Sequence, residues 1–347
     1  MTNEQPPVLV TGGAGFIASH IIAALIDHGH RVRTTARSLD REPQVREQLA
    51  RLGADPGDRL ELFAADLLDD AGWAAAVEGT DYVVHVASPV MPGHVENEDD
   101  VIVPAREGTL RVLRAAQGAG VKRVVLTSAF HAIGFGWGRT DHTFTDEDWS
   151  PLDGPGMDAY GRSKVLAERA AWSFARESGM ELVALNPVAV LGPVVSSSVT
   201  GGNAIVRRIL SGQLDSYPNL WIPIVDVRDV AVAHVLAMTT ADAAGQRFIV
   251  GSGDGLKLEE IGAILRAHLG DRASHVTTKT TPSAAIRAAA ESNPALRGLA
   301  DDVDIVKRID ASKIRRVLGW QSRPLDETVV DAAVSMLDLG VVPPAAH

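Results

Sequence analysis

The 347-residue chain contains no cysteine, which excludes disulfides, thiolate chemistry and cysteine-ligated metals. It has no apolar run near the roughly 20 residues that span a bilayer: "IIAALI" is broken at once by "DHGH", and mean hydropathy is +0.05. The N-terminus, "MTNEQPPVLV", lacks the basic and apolar regions of a signal peptide, so a cytoplasmic protein is expected. A net charge of −11 offers no basic face, so nucleic acid is not an expected partner, although a local pocket for a small anion is compatible with it. Internal repeats and low-complexity tracts are absent, and the histidines are too scattered for a metal site. What is present is 46% hydrophobic residues, enough for a large core, in a chain longer than one core usually takes. One large α/β domain with a smaller lobe, or two domains, follows.

Val- and Leu-rich runs recur at "PVLV", "RVRTTA", "LELFAA", "DYVVHVA", "RVVLTS" and "ELVALNP". Between most of them lie helix-spaced segments: 17–28, 45–52, 72–78, 101–118 and 159–177. Short apolar runs without strict alternation suit strands buried on both faces, and their alternation with helices predicts a doubly wound parallel sheet of Rossmann type. The rhythm fades after Pro187, where "LGPVVSSSVTGG" reads as a flexible loop. Residues 1–190, with 226–252 returning, are expected to form the dinucleotide-binding domain, and 191–225 with 253–347 a C-terminal substrate lobe.

"VLVTGGAGFIASHII" is a strand, a glycine turn and a helix in succession. Gly12 permits the tight turn, Gly15 lets the backbone approach a pyrophosphate, and Ala18 lets helix pack on strand. The N–H groups of Phe16 and Ile17 then face the phosphates. No Lys-Ser/Thr follows the glycines, which excludes a P-loop. At the end of the second strand Ala36 precedes Arg37, with no carboxylate until Asp40; a guanidinium there suits a 2′-phosphate and predicts NADP, unless Arg37 is simply a solvated surface residue. Asp66 and Leu67 end the third strand where adenine would lie, though Asp66 also suits a helix cap. Small Ala87 and Ser88 end the fourth strand and let a cofactor lie close, His85 reads as a satisfied core histidine, and Thr127 ends the fifth strand beside the same edge.

Tyr160 and Lys164 are four apart in "AYGRSKVLAERAAWSFARE", which sets phenol and ammonium on one helix face. A neighbouring cation is expected to lower the phenol's pKa, so that it exchanges a proton with a carbonyl oxygen. With "VTGGAGFIASH", "PAREGTLRVLRAA", "KRVVLTSAF", "YGRSKVLAERAAW", "NPVAVLGP" and "VDVRDVAVAH" in this order, the chain resembles the extended short-chain dehydrogenase/reductases, in their dihydroflavonol 4-reductase-like and bacterial aldehyde or ketone reductase branch. The resemblance implies that Tyr160 is the proton donor, that Lys164 orients a ribose, and that Pro187 and Val190 flank the nicotinamide. It implies that Asp229 anchors the lobe, a role a helix N-cap would not contradict.

Members of this branch usually read Thr-Ser-Ser where this chain reads Thr127, Ser128, Ala129. The resemblance makes position 129 the hydroxyl that bonds the substrate carbonyl. Alternation along an extended chain points Ser128 to the opposite side. Three readings stay open: a donor supplied by Ser128 or His131, a slowed enzyme, or a protein that binds NADP and ligand without turnover. Loss of one such donor costs about a hundred- to a thousandfold in rate. Phe130, Phe135, Trp137 and Trp221 predict an apolar, aromatic pocket, hence a small hydrophobic aldehyde or ketone as substrate. The rival enzyme reading is an NAD-dependent nucleotide-sugar epimerase or dehydratase, to which Arg207 and Arg208 lend support. Monomer and homodimer are both compatible with the sequence.

Overall fold

The computed structural model describes residues 5–89, 95–253, 255–293 and 296–343; the first four residues of the N-terminal stretch read for a leader lie outside them. Seven parallel strands form the central sheet: β1 (Val8–Val10), β2 (Val32–Ala36), β3 (Leu60–Ala64), β4 (Tyr82–His85), β5 (Arg123–Thr127), β6 (Glu181–Pro187) and β7 (Arg247–Val250). Their spatial order is β7-β6-β5-β4-β1-β2-β3. The chain builds outward from β1 to β3, then returns to lay β4 on the other side of β1. This is the doubly wound order, and its crevice opens at the carboxyl ends of β1 and β4.

Alternate residues of each strand feed separate cores, as a two-residue period requires. Val8, Val10, Val84 and Val125 pack with helices α1 (Phe16–Asp27) and α2 (Glu42–Arg51) on one face. Leu9, Val83, Val124 and Leu126 pack on the other with α3 (Trp73–Val77), α4 (Asp99–Gly118) and α5 (Ala159–Ser178). All five residues of β5 are buried, which is why "RVVLT" reads as an unbroken run rather than an alternating one.

A third core lies in the lobe, among α6 (Gly202–Leu210), α8 (Leu258–Leu269) and α12 (Leu325–Asp338), with Val206, Ile209, Ile261, Leu265, Val329 and Met336 at its centre. Helix α7 (Val227–Thr239) returns to the first face of the sheet beside α1. Helices α9 (Ser283–Ser292) and α10 (Arg297–Asp302) follow, then α11 (Ser312–Leu318).

Two expectations change here. Ile309, Ile314, Leu318 and Trp320 belong to the sheet's core rather than the lobe's, drawn in because the Trp320 indole N–H donates to the Asp229 carbonyl at 2.8 Å. The segment from Leu191 to Gly202 is not a flexible loop. Gly192 and the Asn203 side chain exchange two hydrogen bonds of 3.1 Å, and Val194, Val195 and Val199 are buried.

Candidate active site

The turn after β1 sits at the switch point and is built by close approach. Gly12 has φ +75°, and a Cβ there would stand 3.1 Å from Ala87 Cβ at the end of β4. Gly13, to which the sequence reading gave no role, is tighter: a Cβ would fall 2.2 Å from Thr34 Oγ1 on β2. The doubled glycine was the signal. Gly15 is the N-cap of α1 and brings no side chain, so no side-chain cap takes up the first N–H groups of the helix, those of the half-buried Phe16 and Ile17. Ala18 is buried in the sheet's core, as its small size suggested. Thr11 locks β1 to β4: its hydroxyl accepts from the N–H groups of Val86 (3.0 Å) and Ala87 (2.9 Å) and donates to His85 Nδ1 at 2.9 Å. Burial holds His85 down at about 3, so it is the neutral, satisfied core histidine expected.

Around the rim, Arg37 is exposed at the end of β2 and has no partner among the described residues. Asp40 is engaged by the Ser38 hydroxyl at 3.0 Å. Asp66 accepts the N–H of Leu68 at 3.0 Å in a local turn; it does not cap α3, whose N-cap is Gly72. Leu67 is pressed against α4, where a Cβ at Gly108 would meet it at 2.8 Å. The Asp66–Leu67 turn thereby gains a fixed position beside the crevice.

Tyr160 and Lys164 occupy the first turns of α5, which Asp158 caps by accepting the Gly161 N–H at 2.7 Å. Lys164 Nζ lies 5.6 Å from the Tyr160 ring centroid and donates to Ser88 Oγ at 3.0 Å, joining α5 to the end of β4. Burial brings Lys164 down to about 8, opposed by the Glu168 carboxylate. The effect on the tyrosine is the reverse of the one expected from the spacing. Burial, reinforced by Asp158, pushes the phenol up to about 12. It therefore stays protonated at neutral pH, the state that gives a proton to a carbonyl oxygen.

Beyond β5 the hydroxyls turn away. Thr127 Oγ1 donates to His234 Nε2 at 2.7 Å, since His234 Nδ1 already donates to the Val230 carbonyl, so the proton of the Thr127 hydroxyl is spent on α7. Ser128 Oγ donates to Glu168 Oε2 at 2.6 Å, the opposite side from 129 as alternation requires, and cannot double as the missing donor. Glu168 is fully buried and also takes bonds from Asn186 Nδ2 (2.7 Å), Trp172 Nε1 (3.1 Å) and Arg247 Nε (2.6 Å). This network was invisible in the sequence because its members lie up to 119 residues apart, from Ser128 to Arg247. Ala129 is buried and offers no donor. His131 stacks on Phe135 (centroids 3.9 Å, 11°) and meets the Tyr160 ring edge-to-face at 4.9 Å.

The remaining predicted residues divide. Pro187 ends β6, and Val190 pairs with Val225 just beyond it. Phe130 is not a pocket wall. It is buried beneath the loop against Phe135 and Phe144, because its short helical turn points it into the core. Trp137 is exposed and stacked on His142, and Trp221 carries Lys257 over its ring at 5.2 Å. Arg207 and Arg208 close the last turn of α6. Asp229 accepts from Arg323 N (2.8 Å) and Nε (3.0 Å), tying α7 to the C-terminal segment, while the N-cap of α7 is Asp226. A cavity of about 490 Å³ between α5 and the 146–149 segment is lined by Trp149, Arg169, Trp172 and Arg176 among others, and by none of the predicted site residues.

A phosphate turn at the switch point, facing a protonated tyrosine and a buried lysine across one crevice, defines a dinucleotide-dependent oxidoreductase of the doubly wound type. The chain belongs to the NAD dependent epimerase/dehydratase family, whose model matches residues 8–251. Cinnamoyl-CoA reductase 1 of Arabidopsis thaliana is 38% identical over 248 residues, 71% of this chain and 70% of the relative. Tetraketide alpha-pyrone reductase 2 of the same plant is 38% identical over 246 residues, 69% of this chain and 75% of the relative. Among solved structures, yeast methylglyoxal/isovaleraldehyde reductase Gre2 complexed with NADPH superposes with a TM-score of 0.75 at 26% identity, covering 96% of this chain and 99% of that one. No helix of the described residues is long and apolar enough to cross a membrane.

Proposed function

We propose that this protein reduces small hydrophobic aldehydes or ketones to alcohols with NADPH. The observation that carries the reading is the Tyr160–Lys164–Ser88 group at the open carboxyl edge of β4, with a phenol that stays protonated. The turn fits a dinucleotide: Gly12 and Gly13 let it close tightly against Ala87 and Thr34, and α1 begins without a side-chain cap, leaving its first N–H groups for a pyrophosphate. Phe16 and Ile17 N–H groups would hold the pyrophosphate, Arg37 a 2′-phosphate, Asp66 and Leu67 the adenine side, Lys164 a ribose, and Pro187 with Val190 the nicotinamide. When bound, the nicotinamide supplies the hydride that reaches the carbonyl carbon. Tyr160 gives its proton to the carbonyl oxygen, and Lys164, still largely protonated near neutrality, supplies positive charge beside it.

The relatives support this reading, since those named above are called reductases and Gre2 is described with NADPH. Arg37, standing where a carboxylate would favour NAD, supports reduction with NADPH over the nucleotide-sugar reading. The test is NADPH consumption and alcohol formation over a panel of aliphatic and aryl carbonyls. Turnover of none of them, with NADPH bound, would refute the proposal.

A further inference from the structure

Reduction of a carbonyl builds negative charge on its oxygen, and each positioned donor aimed at that oxygen lowers the barrier. Tyr160 is one donor, and the residues after β5 decide whether there is a second. Ala129 has none to give. The Thr127 hydroxyl is spent on His234 at 2.7 Å, and the Ser128 hydroxyl on Glu168 at 2.6 Å.

His131 differs on every count. Its ring is fixed by a 3.9 Å stack on Phe135 and lies 4.9 Å, centroid to centroid, from the ring of Tyr160 at 80°. Lys307 Nζ in turn sits 4.7 Å from the centroid of the Phe135 ring. Neither imidazole nitrogen has a hydrogen-bond partner among the described residues. Burial holds the ring down at about 4, with Lys164 and Lys307 reinforcing and Asp158 opposing, so at neutral pH it is a neutral imidazole with one N–H to offer. A half-buried donor, held by its stack on Phe135 and spent on no protein group among the described residues, stands beside the phenol.

We propose that His131 donates its imidazole N–H to the substrate carbonyl oxygen alongside Tyr160, supplying the hydrogen bond that position 129 cannot. The inference rests on the reductase reading and adds to it a second hydrogen-bond donor for the carbonyl oxygen. The hydride goes to carbon and the Tyr160 proton to oxygen; the His131 proton stays on nitrogen, and its hydrogen bond strengthens as charge builds.

The test compares parent, His131→Phe, His131→Gln, Ala129→Ser and the His131→Phe/Ala129→Ser double variant, with benzaldehyde and an aliphatic aldehyde as substrates. His131→Phe keeps the stack and should lower kcat about a hundredfold while leaving the NADPH Kd and melting temperature near the parent's. His131→Gln, which keeps an N–H, should lose less. Ala129→Ser should change the parent less than about threefold, yet recover about tenfold or more in the His131→Phe background, as two groups serving one oxygen must. A His131→Phe variant within a few-fold of the parent, or a loss that Ala129→Ser does not relieve, overturns the assignment. Should His131→Phe not fold, the single Ala129→Ser decides: a gain of tenfold or more means no donor had been in place. A silent parent beside an active Ala129→Ser removes His131 alone from the account, whereas silence from both, with NADPH bound, overturns the reductase reading itself.

Discussion

Replacing Lys164 by methionine is expected to stabilise the fold while destroying the activity. The lysine is 7% exposed, and among the described residues it makes one hydrogen bond, to Ser88, with the Tyr160 ring 5.6 Å from its Nζ. Burial takes its pKa from the ordinary 10.5 to about 8. That difference corresponds to roughly 3 kcal/mol of stability forfeited at neutral pH, where the folded chain must hold the charge out of water. Methionine has similar reach and no charge, and it gives up the Ser88 bond, about 1 kcal/mol, along with the cation's contact with the Tyr160 ring. A net gain of about 2 kcal/mol follows. The pH dependence has a definite sign. Between about 8 and 10.5 the unfolded lysine keeps its proton and the folded one does not, so rising pH stabilises the parent relative to the variant and closes the gap. Guanidinium denaturation of both proteins without cofactor, near neutrality and again near pH 10, reads this directly. A Lys164→Met variant that is less stable than the parent near neutrality, or a gap that does not shrink with pH, would refute the reasoning.

Gly13→Ala places a methyl 2.2 Å from Thr34 Oγ1, so it should cost about 1–3 kcal/mol and weaken NADPH binding in a fluorescence titration, with Thr34→Ala in the same chain recovering part of both. Glu168→Gln leaves the buried Arg247 guanidinium without its counter-charge and should lose about 3 kcal/mol or more; an unchanged thermal midpoint would show that the network is not what holds β5, β6 and β7 to α5. Arg37→Ala should raise the KM for NADPH about tenfold or more and leave that for NADH unchanged, and equal effects on the two would mean that Arg37 does not select the 2′-phosphate.

The sheet was legible because its strands are buried on both faces, so that "PVLV", "DYVVHVA" and "RVVLTS" announce themselves without alternation. Tyr160 and Lys164 were legible because their spacing is a local property of one helix. What the sequence hid was partnership across distance. The Thr127 and Ser128 hydroxyls are claimed by His234 and Glu168, 107 and 40 residues further on. The same holds for the lobe boundary: α11 has helical character whichever core it joins, and only the Trp320–Asp229 bond shows which. Phe130 was misplaced because an aromatic residue in an uncharged loop reads alike whether it lines a pocket or fills a core. The tyrosine's pKa went the other way because spacing reports the neighbouring cation and says nothing of burial.

The central claim, that Tyr160 protonates a carbonyl oxygen while the bound nicotinamide delivers hydride to its carbon, is tested most directly by isotope transfer. NADPH carrying deuterium on the transferable face of its nicotinamide, incubated with an aryl aldehyde, should give alcohol labelled at the carbinol carbon. Tyr160→Phe should bind NADPH as tightly and form labelled alcohol at least about a hundredfold more slowly. A parent that binds NADPH yet yields no labelled alcohol, or a Tyr160→Phe variant that yields it as fast, would contradict the account.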